Sequence, residues 1–239
     1  MSLAPKISII IPVYNDATHI GKSIDALENF LNSENINAEI IIVNDGGKDA
    51  TAKIVEDRIQ KYPRVHFINR NVNKGKGYSV REGVKASFGD FIIFTDADLP
   101  YGTRYFKTII EFLKSGADLV IANRNLIFNV KTSTSNIGAA RRFTHWGFAF
   151  LVRRLLNLEF SDTQAGLKGI KREAAFKILP KLKMDRYAFD LELLVEVQKA
   201  GLKIQEIPVV LENAGQSNIK IARDSFRMFI DIIKIWLNY

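Results

Sequence analysis

The chain has no cysteine among its 239 residues, which excludes disulfides, thiolate metal sites and a cysteine nucleophile, and which fits a reducing compartment. Histidine is nearly as scarce. His19, His66 and His145 lie far apart and adjoin no matching carboxylate pattern, so they read as structural or surface residues. No Gly-x-Ser-x-Gly occurs, which removes the nucleophile elbow of a serine hydrolase. No apolar run approaches the ~18 residues that cross a bilayer, and the opening MSLAPK lacks the apolar core of a signal peptide. A soluble or surface-bound protein on the cytoplasmic side is expected. The six prolines and fifteen glycines are scattered, so no linker divides the chain and a single core is expected.

What is present in excess is positive charge. Thirty-four Lys and Arg against twenty-six Asp and Glu leave +8, a balance suited to phosphate-bearing ligands, anionic membrane surfaces or nucleic acid. Nucleic-acid sites also want exposed aromatic residues among the basic ones, and charge alone does not supply them. No nucleic-acid partner is expected.

Short β-branched runs alternate with longer helical patterns, the signature of βαβ units and a mainly parallel sheet. Strands are predicted at Ile7 to Ile11, Glu39 to Val43, Val65 to Asn69, Phe91 to Thr95 and Leu119 to Ala122. Helices are predicted near 18 to 33, 49 to 61, 77 to 88 and 103 to 115. Further on, the pattern predicts an amphipathic helix from Ile137 to Leu156 and a strand over Leu167 to Lys171. Helices near 172 to 180 and 187 to 200 follow, then a β segment over Lys203 to Leu211 and a last helix from Ile219 to Leu237.

Ligands of such sheets bind beyond the carboxyl ends of the strands, and the loops there are chemically loaded. They read Pro12-Val13-Tyr14-Asn15-Asp16, Asn44-Asp45-Gly46-Gly47, Asn73-Lys74-Gly75-Lys76-Gly77 and Asp96-Ala97-Asp98. Strand alternation turns Asp96 and Asp98 to the same side, where hard oxygen ligands suit Mg²⁺ or Mn²⁺. A bland alternative is that one of them caps the following helix. Asp45 is placed to accept hydrogen bonds from a nucleobase, or else to close an Asx turn. The glycine-rich Lys74 to Gly77 turn can hold an anion at a helix N-terminus, but its spacing is not that of a P-loop. A nucleotidyltransferase would open with a glycine-rich first loop, where this chain has Pro12-Val13-Tyr14-Asn15.

With these pieces in order the chain resembles the family 2 inverting glycosyltransferases of the GT-A fold. The resemblance is carried by Ile9 to Asn15, Val43-Asn44-Asp45-Gly46, Asn73 to Gly77, Gly89-Asp90 and Asp96-Ala97-Asp98-Leu99. Asp162 to Lys168 and Arg186 to Leu194 narrow it to the dolichyl-phosphate β-glucosyltransferase type, with GDP-mannose-using relatives more distant. The resemblance implies a Rossmann-like sheet flanked by helices over residues 1 to 218, followed by an amphipathic helix over 219 to 239. It implies transfer of a hexose, glucose from UDP-glucose, onto a polyprenyl phosphate. The alternatives are a GDP-mannose-dependent polyprenyl-phosphate mannosyltransferase, a family 2 transferase acting on a saccharide hydroxyl in cell-surface polysaccharide synthesis and, without catalysis, a sugar-nucleotide binding module.

Carried over by motif, Pro12, Tyr14, Asn15, Asp45, Lys76 and Asp96 would bind the nucleotide, and Asp96 and Asp98 would hold a divalent cation, Mg²⁺ or Mn²⁺. Asp98, Asp162 and Asp190 are the candidate catalytic groups, the last two as bases if the acceptor is a hydroxyl or as loop-orienting groups if it is not. Arg124, Arg141 and Lys168 are the candidates for an acceptor phosphate. Three departures from the family pattern stand out: Asp16 in place of Glu, Ala122-Asn123-Arg124 in place of Gly-Ser-Arg, and Pro100 where mannose synthases carry a Gln metal ligand. In the last helix Lys220, Arg223, Asp224, Arg227, Asp231, Lys234 and Asn238 form one polar stripe. The wide apolar arc opposite calls for a membrane interface, the body of the domain or a second subunit.

Overall fold

A computed structural model describes residues 6–127, 154–212 and 221–237, with the backbone alone for 221–228. Seven strands form one sheet: β1 (Ile7–Val13), β2 (Ala38–Asp45), β3 (Val65–Arg70), β4 (Phe91–Phe94), β5 (Leu119–Asn123), β6 (Lys168–Lys171) and β7 (Ile204–Pro208). Their order across the sheet is β3-β2-β1-β4-β6-β5-β7. All neighbours run parallel except β6, which lies antiparallel between β4 and β5.

The helices are α1 (Ile20–Ser33), α2 (Thr51–Lys61), α3 (Lys76–Ala86), α4 (Tyr105–Lys114), α5 (Arg172–Ile178), α6 (Phe189–Lys199) and α7 (Ile221–Leu237). Each begins and ends within about two residues of its prediction, the scatter expected at helix ends. The helix predicted over Ile137 to Leu156 falls almost wholly outside the described residues, as do Arg141 and His145.

Both faces of the sheet are covered, which is why its central strands are apolar on both sides. Ile7, Ile9 and Ile11 of β1 and Ile40 and Ile42 of β2 pack on one face against Ile20, Ile24 and Leu27 of α1, Val55 of α2 and Phe106 and Ile109 of α4. Ile10, Ile41 and Val43 point the other way, into a second cluster with Val80 and Val84 of α3, Ala174 of α5, Leu191 and Leu194 of α6 and Ile232 and Ile235 of α7. Ile232 and Ile235 are buried in this cluster, so α7 packs along one edge on the domain. Phe229, Ile230, Trp236 and Leu237 stay exposed on it.

The register brings the chemistry to one edge. Phe94, the last residue of β4, lies opposite Lys168, the first of β6, and Lys168 lies opposite Ile121 of β5. The carboxyl ends of β1, β2, β4 and β5 therefore share an edge with the start of β6.

Candidate active site

The loop after β4 is built from tight turns. Asp96 O accepts from Leu99 N at 3.1 Å, and Leu99 O accepts from Gly102 N at 2.9 Å. Ala97 O is pinned by Ser23 Oγ of α1 at 2.6 Å. Helix α4 starts only at Arg104, its N-cap, with no side-chain cap, so neither aspartate serves the capping role. Both carboxylates are left for other work.

Asp96 lies at the centre of a charged network. Lys76 Nζ, from the first residue of α3, sits 2.7 Å from Asp96 Oδ1 and 3.8 Å from Asp190 Oδ2. Lys168 holds the other oxygen of Asp190 at 2.6 Å and donates to Ala165 O at 2.6 Å. Arg124, just beyond β5, grips Asp162 through Nε at 2.7 Å and a terminal nitrogen at 2.8 Å, and its backbone N–H adds a third bond at 3.0 Å. Tyr101 is buried beside this pair, and burial pushes its phenol up to about 12.

The charges bias one another. Burial favours the neutral form of Asp96, but the Lys76 ammonium outweighs it and holds the carboxyl below the usual range. Burial likewise opposes the ionised form of Asp162, and the Arg124 guanidinium reverses the sign. Asp98 behaves differently: partial burial and the neighbouring Asp96 charge push its carboxyl up. It makes no salt bridge among the described residues. Two carboxylates that repel in one loop, only one of them neutralised, are a fit place for a cation.

The donor set tests that fit. Among the described residues no group of three or more His, Asp or Glu converges on a metal position. A Mg²⁺-like ion needs only one or two carboxylates when phosphate oxygens and water complete its shell, and Asp96 and Asp98 offer that number. The site therefore fits a divalent cation carried jointly by protein and diphosphate.

Five of the expected functional groups are already engaged within the protein. Asp45 accepts from Lys74 N at 2.8 Å, Gly75 N at 2.7 Å and the Arg70 guanidinium, so its carboxylate organises the β3–α3 loop. Asn15, at φ 49°, accepts from Lys48 N at 2.7 Å and ties the first loop to the second. Lys168, which was to meet an acceptor phosphate, is 1% exposed and committed to Asp190. Asp162 and Asp190, the candidate bases, are both held by cations. The physical reason is common to all five: polar groups brought together where loops converge satisfy one another before any ligand arrives. Tyr14 is exposed at the same edge and Pro12 partly so, which leaves their expected ligand contacts open.

Several contributors gave little signal in the sequence. Asn123 is fully buried and joins β5 to Ser161 Oγ at 2.8 Å and Glu206 Oε1 at 2.7 Å. Gly166 faces Asp96 so closely that any side chain there would overlap its carboxylate. Gln164 Nε2 is buried without an acceptor among the described residues. Only the position of these residues within the Asp162 to Lys168 motif could have marked the last two.

The sequence matches the family described as glycosyl transferase family 2 over residues 8–179, most of the chain. The chain belongs to glycosyl transferase family 2. As a family 2 member it is a glycosyltransferase, and its relatives span nearly its whole length. A dolichyl-phosphate beta-glucosyltransferase of Dictyostelium discoideum is 31% identical, with 98% of this chain and 74% of that protein aligned. One from Trichomonas vaginalis is 33% identical over 95% of this chain and 70% of that protein, and the Mus musculus enzyme is 32% identical over 98% and 76%. The fold is that of glucosyl-3-phosphoglycerate synthase from Mycobacterium tuberculosis, solved with UDP: TM-score 0.69 at 19% identity, covering 97% of this chain and 80% of that one. Another crystal of that enzyme holds Mn²⁺, UDP and phosphoglyceric acid, with TM-score 0.68 at 18% identity over 97% and 78%.

Proposed function

We propose that this transferase moves glucose from UDP-glucose onto a polyprenyl phosphate of the dolichyl type, with inversion and with Mg²⁺ or Mn²⁺ at Asp96 and Asp98. The observation that carries the reading is similarity above 30% identity, over nearly the full chain, to enzymes named for that reaction. In the reaction an acceptor phosphate oxygen bonds to the anomeric carbon as the bond from that carbon to the UDP oxygen breaks. UDP departs with the electron pair. A divalent cation bound to the two aspartates would neutralise the charge that develops on it.

The protein's own groups favour an acceptor that needs no deprotonation. Asp162 and Asp190 are tied to Arg124 and Lys168, and a carboxylate stabilised by an adjacent cation is a poor base. A phosphate is already ionised near neutral pH, whereas a saccharide hydroxyl is not. In this reading Lys76, paired with Asp96, would lend positive charge near the departing diphosphate, and Arg124, partly exposed, would meet the acceptor phosphate. Asp162 would then position Arg124 rather than accept a proton.

A lipid acceptor calls for a membrane surface, and α7 offers Phe229, Trp236 and Leu237 beside Lys234. No described helix is long and apolar enough to cross a membrane. We place the protein as a peripheral enzyme on the cytoplasmic face, lying on the bilayer through α7. The test is transfer of labelled sugar into organic-extractable product with dolichyl phosphate and Mn²⁺. UDP-glucose should label the lipid and GDP-mannose should not. Label from GDP-mannose in preference, or transfer to a polyprenyl alcohol as fast as to its phosphate, would overturn the assignment.

A further inference from the structure

We infer that Lys76 guards the cation site, its ammonium occupying the place beside Asp96 in the donor-free protein and leaving it only when a nucleotide diphosphate brings the metal in. This rests on the metal role proposed for Asp96 and Asp98, and it adds an order: metal binds weakly alone and firmly with nucleotide.

The geometry gives Lys76 two places to be. Its Nζ is 2.7 Å from Asp96 Oδ1, a direct contact, but 3.8 Å from Asp190 Oδ2, a loose one. Asp190 does not depend on it, because buried Lys168 already pairs with the other oxygen at 2.6 Å. Lys168 is fixed, with its ammonium also on the Ala165 carbonyl and its side chain 1% exposed. Lys76 is the movable member of the pair.

Its backbone, by contrast, is anchored. Gly75 adopts φ +107° and lies so close to the Asp185 carbonyl that a side chain there would overlap it. Gly75 N donates to Asp45 Oδ2 at 2.7 Å and Tyr78 N to Asp185 O at 3.1 Å. A long, partly exposed side chain thus swings from a fixed point at the start of α3.

Charge then dictates the order. A divalent cation on Asp96 and an ammonium at hydrogen-bond distance from the same carboxylate repel one another, and both are attracted to a diphosphate. With no diphosphate the two cations compete for Asp96. With one present Lys76 moves onto phosphate oxygens and the metal takes its carboxylate. The coupling is reciprocal, so the metal strengthens nucleotide binding by the same factor.

The test is Mn²⁺ binding, followed by the electron paramagnetic resonance signal of free Mn²⁺, for the wild-type protein, Lys76→Met and Lys76→Gln, each with and without UDP. Thermal melting establishes that the variants are folded. Wild type should bind Mn²⁺ about tenfold or more tightly with UDP than without. Both variants should bind Mn²⁺ without UDP about tenfold more tightly than wild type does, and gain less from UDP. Folded variants that bind Mn²⁺ alone no more tightly than wild type would overturn the guard role while leaving the metal site standing. A wild-type protein that binds no Mn²⁺ even with UDP would remove the metal site, and the guard with it.

Discussion

Replacing Asp190 with Asn strands a buried charge. Lys168 is 1% exposed, and among the described residues its ammonium bonds to Asp190 Oδ1 and Ala165 O, each at 2.6 Å. Asn is nearly the same size, so packing is kept while the counter-charge is lost. Removing one partner of a buried pair costs about 3–5 kcal/mol, a large share of the roughly 5–15 kcal/mol that stabilises a domain. For a chain of this length the melting temperature should fall by about 6–20 °C. Urea denaturation of the wild type, Asp190→Asn, Lys168→Met and the double variant separates charge from packing. Lys168→Met should cost less, because Asp190 keeps Lys76 at 3.8 Å. The double variant should be more stable than Asp190→Asn alone, because the stranded ammonium is gone. An Asp190→Asn protein within about 1 kcal/mol of wild type, or a double variant no better than the single, would refute the reasoning.

Other outcomes follow from the same geometry. Gly166→Ala forces a methyl group into the Asp96 carboxylate; stability should fall by about 1–3 kcal/mol and UDP-dependent Mn²⁺ affinity with it, both measurable by thermal shift and titration. The Asp162 carboxyl lies below its ordinary value because Arg124 outweighs burial, so the pair stabilises the fold fully above about pH 4 and loses that contribution as pH falls through the lower folded value. Asp162→Asn should therefore be less stable than wild type in urea at pH 7, with the gap narrowing toward pH 2. Phe229→Glu with Trp236→Glu changes exposed side chains of α7 and should leave melting unchanged while lowering flotation with anionic liposomes by about tenfold or more.

Much of the scaffold was legible because burial writes itself into the residues. In β1, Ile9 and Ile11 serve one cluster and Ile10 the other, so an unbroken apolar run already implies a strand covered on both faces. Loops rich in Asp, Asn, Gly and Lys after successive strands then located the site, since parallel strands share one carboxyl edge. The insertion of β6 between β4 and β5 was not legible. Nothing in Lys168 to Lys171 states which strands it joins, because pairing is decided by chain paths tens of residues apart.

The site shows the same division. Residue types told where charge would gather, but not which group each charge would face. Lys168 and Asp190 are 22 positions apart in the chain and 2.6 Å apart in space, which turned an expected ligand contact into an internal ion pair. Asp45 likewise lies 29 and 30 positions from the two backbone N–H groups it binds. Asp98, by contrast, forms no salt bridge among the described residues, and the neighbouring Asp96 charge helps push its carboxyl up.

The central claim is that Asp96 and Asp98 jointly carry a divalent cation against the donor diphosphate. Anomalous diffraction from Mn²⁺ in crystals grown with UDP tests it directly. A single strong peak is expected in contact with carboxylate oxygens of both Asp96 and Asp98 and with the UDP phosphates, with Lys76 displaced from Asp96. Nucleotide bound with manganese elsewhere, or with Asp98 turned away from the ion, would contradict it.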